Sequence, residues 1–309
     1  MDGLSICSIL YEDILKGSLR GNIHSVFNNS FIVQVKGLKL ITFLNSKKSM
    51  SPNAIKIDNR VSFLDLGFKP KLGINFFRDF ALIKALDIEI RYSEASLWNK
   101  NPILNFVKGS RKNFITKLNA MGKFLIERGN KNGIFPLLSI LQGKIKGLEL
   151  FRYNDINPHK GEEFISERFL RFIDSYIKED LNNLSSDARN IVGYGKGLTP
   201  SMDDFLSGIM ISRLYLSRHL GASIEDSYKI NKAIVKEIRG MTTLISEDML
   251  IYSSVGEANE DIRRLMISFL GTASIRRFVE DLENVIRIGE TSGTDILSGI
   301  YTGAGIMLN

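Results

Sequence analysis

Two stretches of the chain repeat serine, aspartate and glycine at the same spacing, and such residues can bind anions or transfer protons. Residues 201–209 read SMDDFLSGI and residues 292–300 read SGTDILSGI, so six of nine positions are identical without a gap. Both stretches place an aspartate three residues after the serine, at Asp204 and Asp295. We interpret the second stretch as a copy of the first, because chance seldom repeats these residue types in register.

The spacing of serine and aspartate in each copy is typical of a helix N-terminus. In a Ser-x-x-Asp capping box, the serine oxygen and the carboxylate each accept a backbone N–H of the first turn. A threonine precedes each serine, at Thr199 and Thr291, and Pro200 stands where a first helical turn tolerates proline. We therefore predict that each copy is a turn followed by a helix, with Asp204 and Asp295 as caps. Such helix ends attract anions.

The first copy has features that capping does not require. It follows a glycine-rich approach, and Asp203 has no counterpart, because Thr294 occupies the matching place. Two interpretations stay open: two well-capped helices with a structural role only, or a paired site for a small anion such as a carboxylate, phosphate or carbamoyl phosphate. We favour the second and predict Asp203 as the catalytic residue, an acceptor for a substrate amide or an outer-sphere ligand of Mg²⁺.

Both stretches also resemble the motifs of a known family. Residues 193–209, GYGKGLTPSMDDFLSGI, resemble the signature G-x-G-P-G-L-T-P-S-G-D-D-F-L-x-G of a bacterial family that includes the AllH-type subunit of oxamate carbamoyltransferase. Residues 289–300, GETSGTDILSGI, resemble its C-terminal G-x-T-S-G-x-D-x-L-x-G, and the order and spacing of the motifs fit residues 110–309. We call these the first and second motif. Lys196 and Met202 replace the usual proline and glycine.

The resemblance implies a subunit of a carbamoyltransferase in allantoin and purine catabolism. Such an enzyme transfers a carbamoyl group between oxamate or oxalurate and phosphate, so the expected partners are its other subunits and a small anionic substrate. The residues that we predict to bind this substrate come from both motifs: Gly195, Lys196, Gly197, Thr199, Ser201, Thr291, Ser292 and Gly293. The alternative is a non-catalytic subunit that binds a small anion or organises assembly.

Other chemistries find little support in the sequence. It has no Gly-x-x-x-x-Gly-Lys-Ser/Thr loop, which weakens an ATP-dependent ligase or kinase, and no assignable Ser–His–Asp set. The Ser-x-Arg-Thr phosphate turn of well-known transcarbamoylases is also missing. Cys7 is the only cysteine and the three histidines are far apart, so we predict no cofactor and no Cys/His metal site, although carboxylates could hold Mg²⁺.

The charge of the chain is uneven. The net charge is +7, and residues 1–150 hold 23 basic and 11 acidic residues. The lysines are scattered singly, so we expect a solvated face, or a surface for an acidic partner subunit, and no nucleic-acid partner. The N-terminal segment has early acidic residues and no long apolar run, which argues against a signal peptide, and no stretch is long enough to span a membrane. We expect a cytoplasmic protein.

A change of hydrophobic period near residue 110 predicts an α+β protein. Residues 22–93 alternate apolar and polar residues in short runs separated by turns, as strands do. From about Lys112 the apolar residues recur at helical spacing. We predict a β-rich, barrel-like module over residues 1–108 and a mainly helical domain over residues 109–309 that carries both motifs.

Several individual elements follow from local patterns. Residues 54–58 and 60–66 are predicted as a pair of strands, and residues 164–184 as one long amphipathic helix. Residues 224–256 are predicted to be helical with a break at Gly240. The hydroxyl residues after this break are expected to bond back to the helix backbone: Thr242, Thr243 and Ser246.

Overall fold

The structure, a computed structural model, describes most of the chain: residues 1–17, 19–37, 40–141, 144–145 and 163–308. These residues form two compact units, one made of residues 1–101 with 258–260 and the other of residues 102–257 with 261–309. The first unit is rich in strands and the second is mainly helical, so the predicted α+β class is confirmed. Within the described residues, no helix is both long and apolar enough to cross a bilayer.

A single curled sheet forms the first unit. Its strands among the described residues are β1 Gly3–Cys7, β2 Arg20–Val26, β3 Ser30–Val35, β4 Leu40–Leu44, β5 Ala54–Ile57, β6 Gly73–Phe76, β7 Phe80–Ile83, β8 Ile88–Arg91 and β9 Ser96–Trp98. They lie in the order β8-β7-β6-β2-β3-β4-β5-β1-β9. Most neighbours are antiparallel, whereas β4–β5 and β1–β9 are parallel. Helix α1 Ser8–Leu15 follows β1.

The curl of the sheet agrees with the predicted barrel-like shape. Asp2 forms a parallel bridge with Arg91, and the Arg91 N–H donates to Met1 O at 2.9 Å. The chain start thus joins strands β1 and β8, which are seven places apart in the sheet order. Inside the curl, Phe31 stacks on Phe43 with ring centroids 4.5 Å apart, and other apolar side chains complete a buried core. Burial of such aromatic area is a main source of stability for a sheet of this kind.

One strand prediction in this unit is wrong. Residues 60–66 form turns, and β5 pairs with β1 and β4 instead. The apolar side chain of Phe63 from this turn packs edge-on against Phe31, at 5.0 Å between centroids. Phe63 therefore fills the core of the curled sheet from a turn, and an alternating pattern cannot distinguish this packing from strand pairing.

Helices dominate the second unit. Among the described residues they are α2 Arg111–Arg128, α3 Glu163–Ile177, α4 Leu181–Arg189, α5 Ser201–Leu220, α6 Ile224–Ile234, α7 Leu244–Ser254, α8 Glu260–Leu270, α9 Ile275–Ile286 and α10 Ser292–Leu308. Each motif leads into a long helix, α5 or α10, as predicted. The break at Gly240 is confirmed, because its φ of +71° lies in the left-handed region between α6 and α7.

The predicted long helix over residues 164–184 is two helices. Helix α3 ends at Ile177, Glu179 has a φ of +52°, and the Asp180 side chain caps α4 by accepting from the N–H groups of Asn182 and Asn183. The amphipathic pattern continues across the break, since both helices bury one apolar face. A periodic pattern alone therefore hides a sharp turn with its own cap.

Candidate functional site

The helices that follow the two motifs pack directly on each other. A side chain at Gly208 of α5 would overlap the carbonyl of Ile296, and one at Gly299 of α10 would overlap the carbonyl of Phe205. These contacts are reciprocal, because Gly208 corresponds to Gly299, and Phe205 corresponds to Ile296, in the repeated sequence. The glycines shared by the two motifs therefore allow the helix backbones to touch, as small residues do at close helix crossings.

The N-terminal ends of α5 and α10 meet beside this crossing. Thr199 Oγ1 lies 3.2 Å from Ser292 Oγ, and Ser201 Oγ lies 3.4 Å from Thr291 Oγ1. Each of these contacts thus joins a hydroxyl group of one motif to a hydroxyl group of the other. Since both helix ends carry partial positive charge, their meeting favours negatively charged groups at this place within one unit.

The two repeated aspartates exchange partners across this interface. The Asp204 carboxyl is hydrogen-bonded by Thr199 of its own motif and by Ser292 of the other. Asp295 is hydrogen-bonded in the same way by Thr291 and Ser201. We call these six residues the acid–hydroxyl cluster. It ties the two motifs together through side chains of both.

The prediction of a capping box is wrong for the first motif. Pro200 occupies the N-cap position of α5, and no side chain caps this helix end. Ser201 is the first helical residue and directs its hydroxyl to Asp295. The Asp295 carboxylate in turn accepts the backbone N–H of Ile134 at 2.9 Å, a residue distant in sequence. Asp204 and Asp295 therefore join separate segments, which explains their equivalent positions better than local capping.

Burial makes the charges of this cluster costly. Asp204 is 1% exposed and Asp295 is 0% exposed. Burial raises the pKa of Asp295 to about 6 and raises the pKa of Asp204 well above its usual range, with a further increase from the nearby Asp295 charge. Among the described residues, the Oδ2 atoms of both aspartates are buried without a hydrogen-bond partner. Such buried oxygens are rare in native proteins.

A turn of three glycines precedes α5. Gly193, Gly195 and Gly197 have φ values of +79°, +120° and +96°, so each adopts a left-handed or related conformation that disfavours other residues. Residues 195–198 of this glycine turn are exposed, including the Lys196 side chain. A Cβ at Gly195 would lie 2.5 Å from the Ser201 N atom, so the turn folds back on the helix end. Of the predicted substrate-binding residues, Gly195, Lys196 and Gly197 thus lie on an accessible surface.

Asp203 has a structural role that the sequence did not reveal. Its carboxylate accepts the Gly193 N–H at 2.7 Å and hydroxyl groups of Ser246, at 2.6 Å, and Thr242. The residue is 0% exposed, and burial raises its pKa. The expectation that Asp203 lacks a structural function is therefore wrong, since it fastens the glycine turn to α7. Its catalytic role stays a prediction.

The same contacts correct the expectation for the hydroxyl residues near Gly240. Thr242 and Ser246 donate to Asp203, and the Thr243 hydroxyl donates to Leu198 O while its oxygen caps α7 by accepting the Ser246 N–H. None of these side chains serves only to bond back within its helix. Together they hold the turn that carries Lys196.

A second loop completes the site and was missed in the sequence. Residues 129–134 read GNKNGI and lie over the N-terminus of α10, where the Asn130 N–H donates to Thr294 Oγ1 at 3.0 Å. Gly133 packs so closely on Asp295 that a Cβ would lie 2.5 Å from Oδ2. Its two glycines and two asparagines are typical of a turn and could have identified the loop. Nothing in the sequence indicated which helix the loop would contact.

The remaining predicted residues are buried. Gly293 packs against α9, where a Cβ would lie 2.7 Å from the Ile286 Cα atom. Met202, at the corresponding position of the first motif, is a fully buried core residue. The structure thus brings Thr199, Ser201, Thr291 and Ser292 into one cluster, while Gly293 lies behind it. Within the described ranges, no group of three or more His, Cys, Asp or Glu residues could hold a metal ion.

Comparisons with known proteins match both units. A family model described as oxamate carbamoyltransferase subunit AllH matches residues 191–304, which include both motifs. A second model, described as the AllH family N-terminal domain, matches residues 2–97 in the strand-rich unit. The chain has no significant match among solved structures.

Proposed function

Since the chain belongs to the AllH family, named for a subunit of oxamate carbamoyltransferase, we propose that it binds the small anionic substrate of such a complex. The proposed site is the exposed glycine turn together with the half-buried hydroxyls at the joint N-terminal ends of α5 and α10. The substrate class is carbamoyl phosphate, phosphate or an oxamate-like anion. Carbamoyl transfer is the reaction to which this binding contributes.

The observation that carries the proposal is the position of the glycine turn. It exposes residues 195–198 beside the point where two helix N-termini meet. Exposed N–H groups of a glycine turn can donate hydrogen bonds to anions without any side chain, and the two helix dipoles favour negative charge. At the start of α5 the N–H groups of Met202 and Asp203 already donate to Tyr194 O and Pro200 O, so in this proposal the turn itself supplies the donors. The Lys196 ammonium adds a full positive charge at the rim.

Carbamoyl transfer needs chiefly what this site offers. The reacting carbonyl develops negative charge when a nucleophile attacks it, and the departing phosphate carries negative charge as well. Preorganised N–H donors stabilise both charges in the transition state without a covalent intermediate. In this proposal the glycine turn and Lys196 orient and stabilise the anion. Hydroxyls such as Thr199 and Ser292, whose protons serve Asp204 and each other, accept from the N–H groups of a carbamoyl or amide substrate.

A second candidate function has an observation in its favour. The Asp203 carboxylate is engaged by three donors, so it is not poised to accept a substrate proton. This arrangement favours a subunit that binds the anion while another subunit provides any acid or base. Both candidates use the same turn, but they differ in whether the chain alone turns over substrate.

The test is phosphate-dependent carbamoyl transfer by the complex reassembled from purified subunits. We expect Gly197→Val to raise the KM for the anionic substrate about 10-fold or more, the equivalent of losing a hydrogen bond to a charged group. Gly197 is suitable because, apart from its chain neighbours, no described atom lies within 4 Å of the position of an added Cβ, so space is available for a side chain that covers the turn. Its φ of +96° adds strain, which Gly221→Ala, at a φ of +79° at the other end of α5, controls for.

Two outcomes would contradict the proposal. One is full activity of a complex assembled without this chain. The other is an unchanged KM in Gly197→Val when Gly221→Ala and Gly197→Val lose similar stability. Turnover by the isolated chain would decide between the two candidates in favour of a self-sufficient active site.

A further inference from the structure

The acid–hydroxyl cluster contains more oxygen atoms than protons to join them. Thr199 and Ser292 are both hydrogen-bonded to Asp204, and each hydroxyl has one proton to donate. The two hydroxyls are also hydrogen-bonded to each other at 3.2 Å, with either one as the donor, so only one of their two protons is left for the carboxylate. The same holds for Ser201 and Thr291 around Asp295, at 3.4 Å.

The carboxyl groups leave further oxygen atoms without partners. Within the described residues, Oδ2 of Asp204 and Oδ2 of Asp295 are buried and accept no hydrogen bond. A buried carboxylate oxygen that is neither hydrogen-bonded nor neutralised costs several kcal/mol, so buried charges are normally paired or coordinate a metal. Two such atoms occur in equivalent positions, which makes an accidental side-chain placement a poor explanation.

We propose that the acid–hydroxyl cluster is a binding site for one divalent cation, held by the two aspartates and by hydroxyls of both motifs. The cluster differs from a site built from three or more acidic or His/Cys residues, because only two of its donors carry charge. Two carboxylates nevertheless balance the charge of a divalent ion. The hydroxyls of Thr199, Thr291 and Ser292 are only half buried, so an ion can reach the cluster from solvent.

The hydroxyl spacing indicates the size of the ion. Neighbouring oxygens around a six-coordinate ion lie about 1.4 metal–oxygen distances apart, which is ~2.9 Å for Mg²⁺ and ~3.2–3.7 Å for Ca²⁺. The observed contacts of 3.2 and 3.4 Å fit the larger ion. They also exceed the usual O–H···O hydrogen-bond length of about 2.7–2.8 Å. The cluster is therefore expected to prefer an ion of calcium size over Mg²⁺.

Charge sets the expected affinity. Each helix N-terminus contributes about half a positive charge, so the two helix ends partly offset the two carboxylates. Calcium sites with few charged ligands bind in the range of about 10⁻⁴ to 10⁻³ M. We expect the cluster to lie at this weak end. An ion in this place would bridge the two motifs, whether or not the proposed anion site beside them is correct.

The test is a calorimetric titration of the full chain, stripped with EDTA, at constant ionic strength. With CaCl₂ we expect one saturable site and a rise in Tm, and with MgCl₂ a weaker response. Asp204→Asn and Asp295→Asn preserve size and remove one charge each, and we expect either to weaken binding at least 10-fold, about 1.4 kcal/mol. If these variants fail to fold, Ser292→Ala keeps both charges and should raise the Kd several-fold.

Asp226→Asn is the matched control. Asp226 also stands in the first turn of a helix, but it is exposed and paired with Lys229 at 2.9 Å. Calcium binding should survive this change. Absence of saturable binding up to ~10 mM, ten times the weakest expected Kd, would overturn the proposal. So would tighter binding of Mg²⁺, or binding that persists in both Asp204→Asn and Asp295→Asn. The titration contains no substrate or partner subunit, so its failure leaves the anion proposal to be judged by carbamoyl transfer.

Discussion

The two motifs have the same core contacts but different surroundings. At the first position of difference, Met202 fills the core of the first motif, whereas Gly293 lets the second motif pack against the backbone of α9. At the next, Asp203 binds a turn from its own motif, whereas Thr294 binds a loop from residues 129–134. The repeated residues thus build the helix crossing and the acid–hydroxyl cluster, and the unrepeated residues determine which loop covers each helix end.

The repeated positions and the unrepeated positions should therefore respond differently to mutation. Gly208 and Gly299 make equivalent contacts, each with a backbone carbonyl of the facing helix. A substitution at either glycine should therefore reduce the free energy of unfolding by a similar amount. The positions 202/293 and 203/294 should respond differently, because their neighbours differ. The glycine turn, with its exposed lysine, is present in the first motif only, which places the proposed anion site on one side of an otherwise symmetric pair of helices.

The largest effect is expected at the helix crossing. Gly208→Val and Gly299→Val each insert a branched side chain into the backbone of the facing helix, so we expect losses of about 5 kcal/mol or more. Gly221→Ala, at the C-cap of α5, meets no atom within 4 Å and should cost only about 1–2 kcal/mol through its left-handed backbone. Urea unfolding measures all three. Unequal losses of unfolding free energy in Gly208→Val and Gly299→Val would show that the two glycines are not equivalent.

The next largest effect is expected at Met202. Its side chain is fully buried, although the family that the motif resembles usually has glycine at this position. Met202→Gly should therefore cost about 3–6 kcal/mol, because it leaves a cavity and adds a glycine to a helix. Met202→Leu, which conserves volume, should cost less than about 1.5 kcal/mol. A small loss of unfolding free energy in Met202→Gly, measured with urea, would mean that the surrounding helices move together and fill the cavity.

Asp203 and Thr294 provide a more moderate comparison. Asp203→Asn replaces one carboxylate oxygen by a donor that faces other donors, so we expect a loss of about 2–3 kcal/mol. Thr294→Val removes one neutral hydrogen bond to Asn130 and should cost about 1 kcal/mol. Melting curves and turnover of the assembled complex are measured on the same preparations. A further ~100-fold loss of turnover in folded Asp203→Asn would support its predicted catalytic role.

The sequence was sufficient for the elements that depend on period and local turns. The helical face of Phe114, Leu118, Met121 and Leu125 in α2 is buried as the spacing predicts, and the break at Gly240 follows from a residue that terminates helices. The duplicated motif also identified α5 and α10 as a related pair. Each element is encoded within one short stretch of the chain, and the relation between α5 and α10 is encoded by the similarity of two such stretches.

The contacts of the candidate site could not be predicted, because they join distant segments. Ser-x-x-Asp fits a local cap, yet Asp204 and Asp295 exchange hydroxyls between motifs 91 positions apart. The partners of Asp203 come from the segment after Gly240, and the loop over Asp295 comes from residues 129–134. When the position of a side chain fits a local capping pattern, the sequence does not show that the same side chain bonds to a distant segment instead. The structural contacts of Asp203 were missed for this reason.

The smallest effect is expected at Lys196, at the exposed rim of the glycine turn. The side chain is exposed, so Lys196→Gln should leave the free energy of unfolding unchanged within about 0.5 kcal/mol. Removing one positive charge beside a bound anion should raise the KM by about 2- to 5-fold at low salt, and the effect should fade near 1 M salt, where the screening length is about 3 Å. Lys232→Gln, an exposed lysine on α6, is the control and should leave the KM unchanged. An equal response of the two variants would show that the turn does not bind the anion, and a loss that persists at high salt would mean that Lys196 donates directly to the substrate.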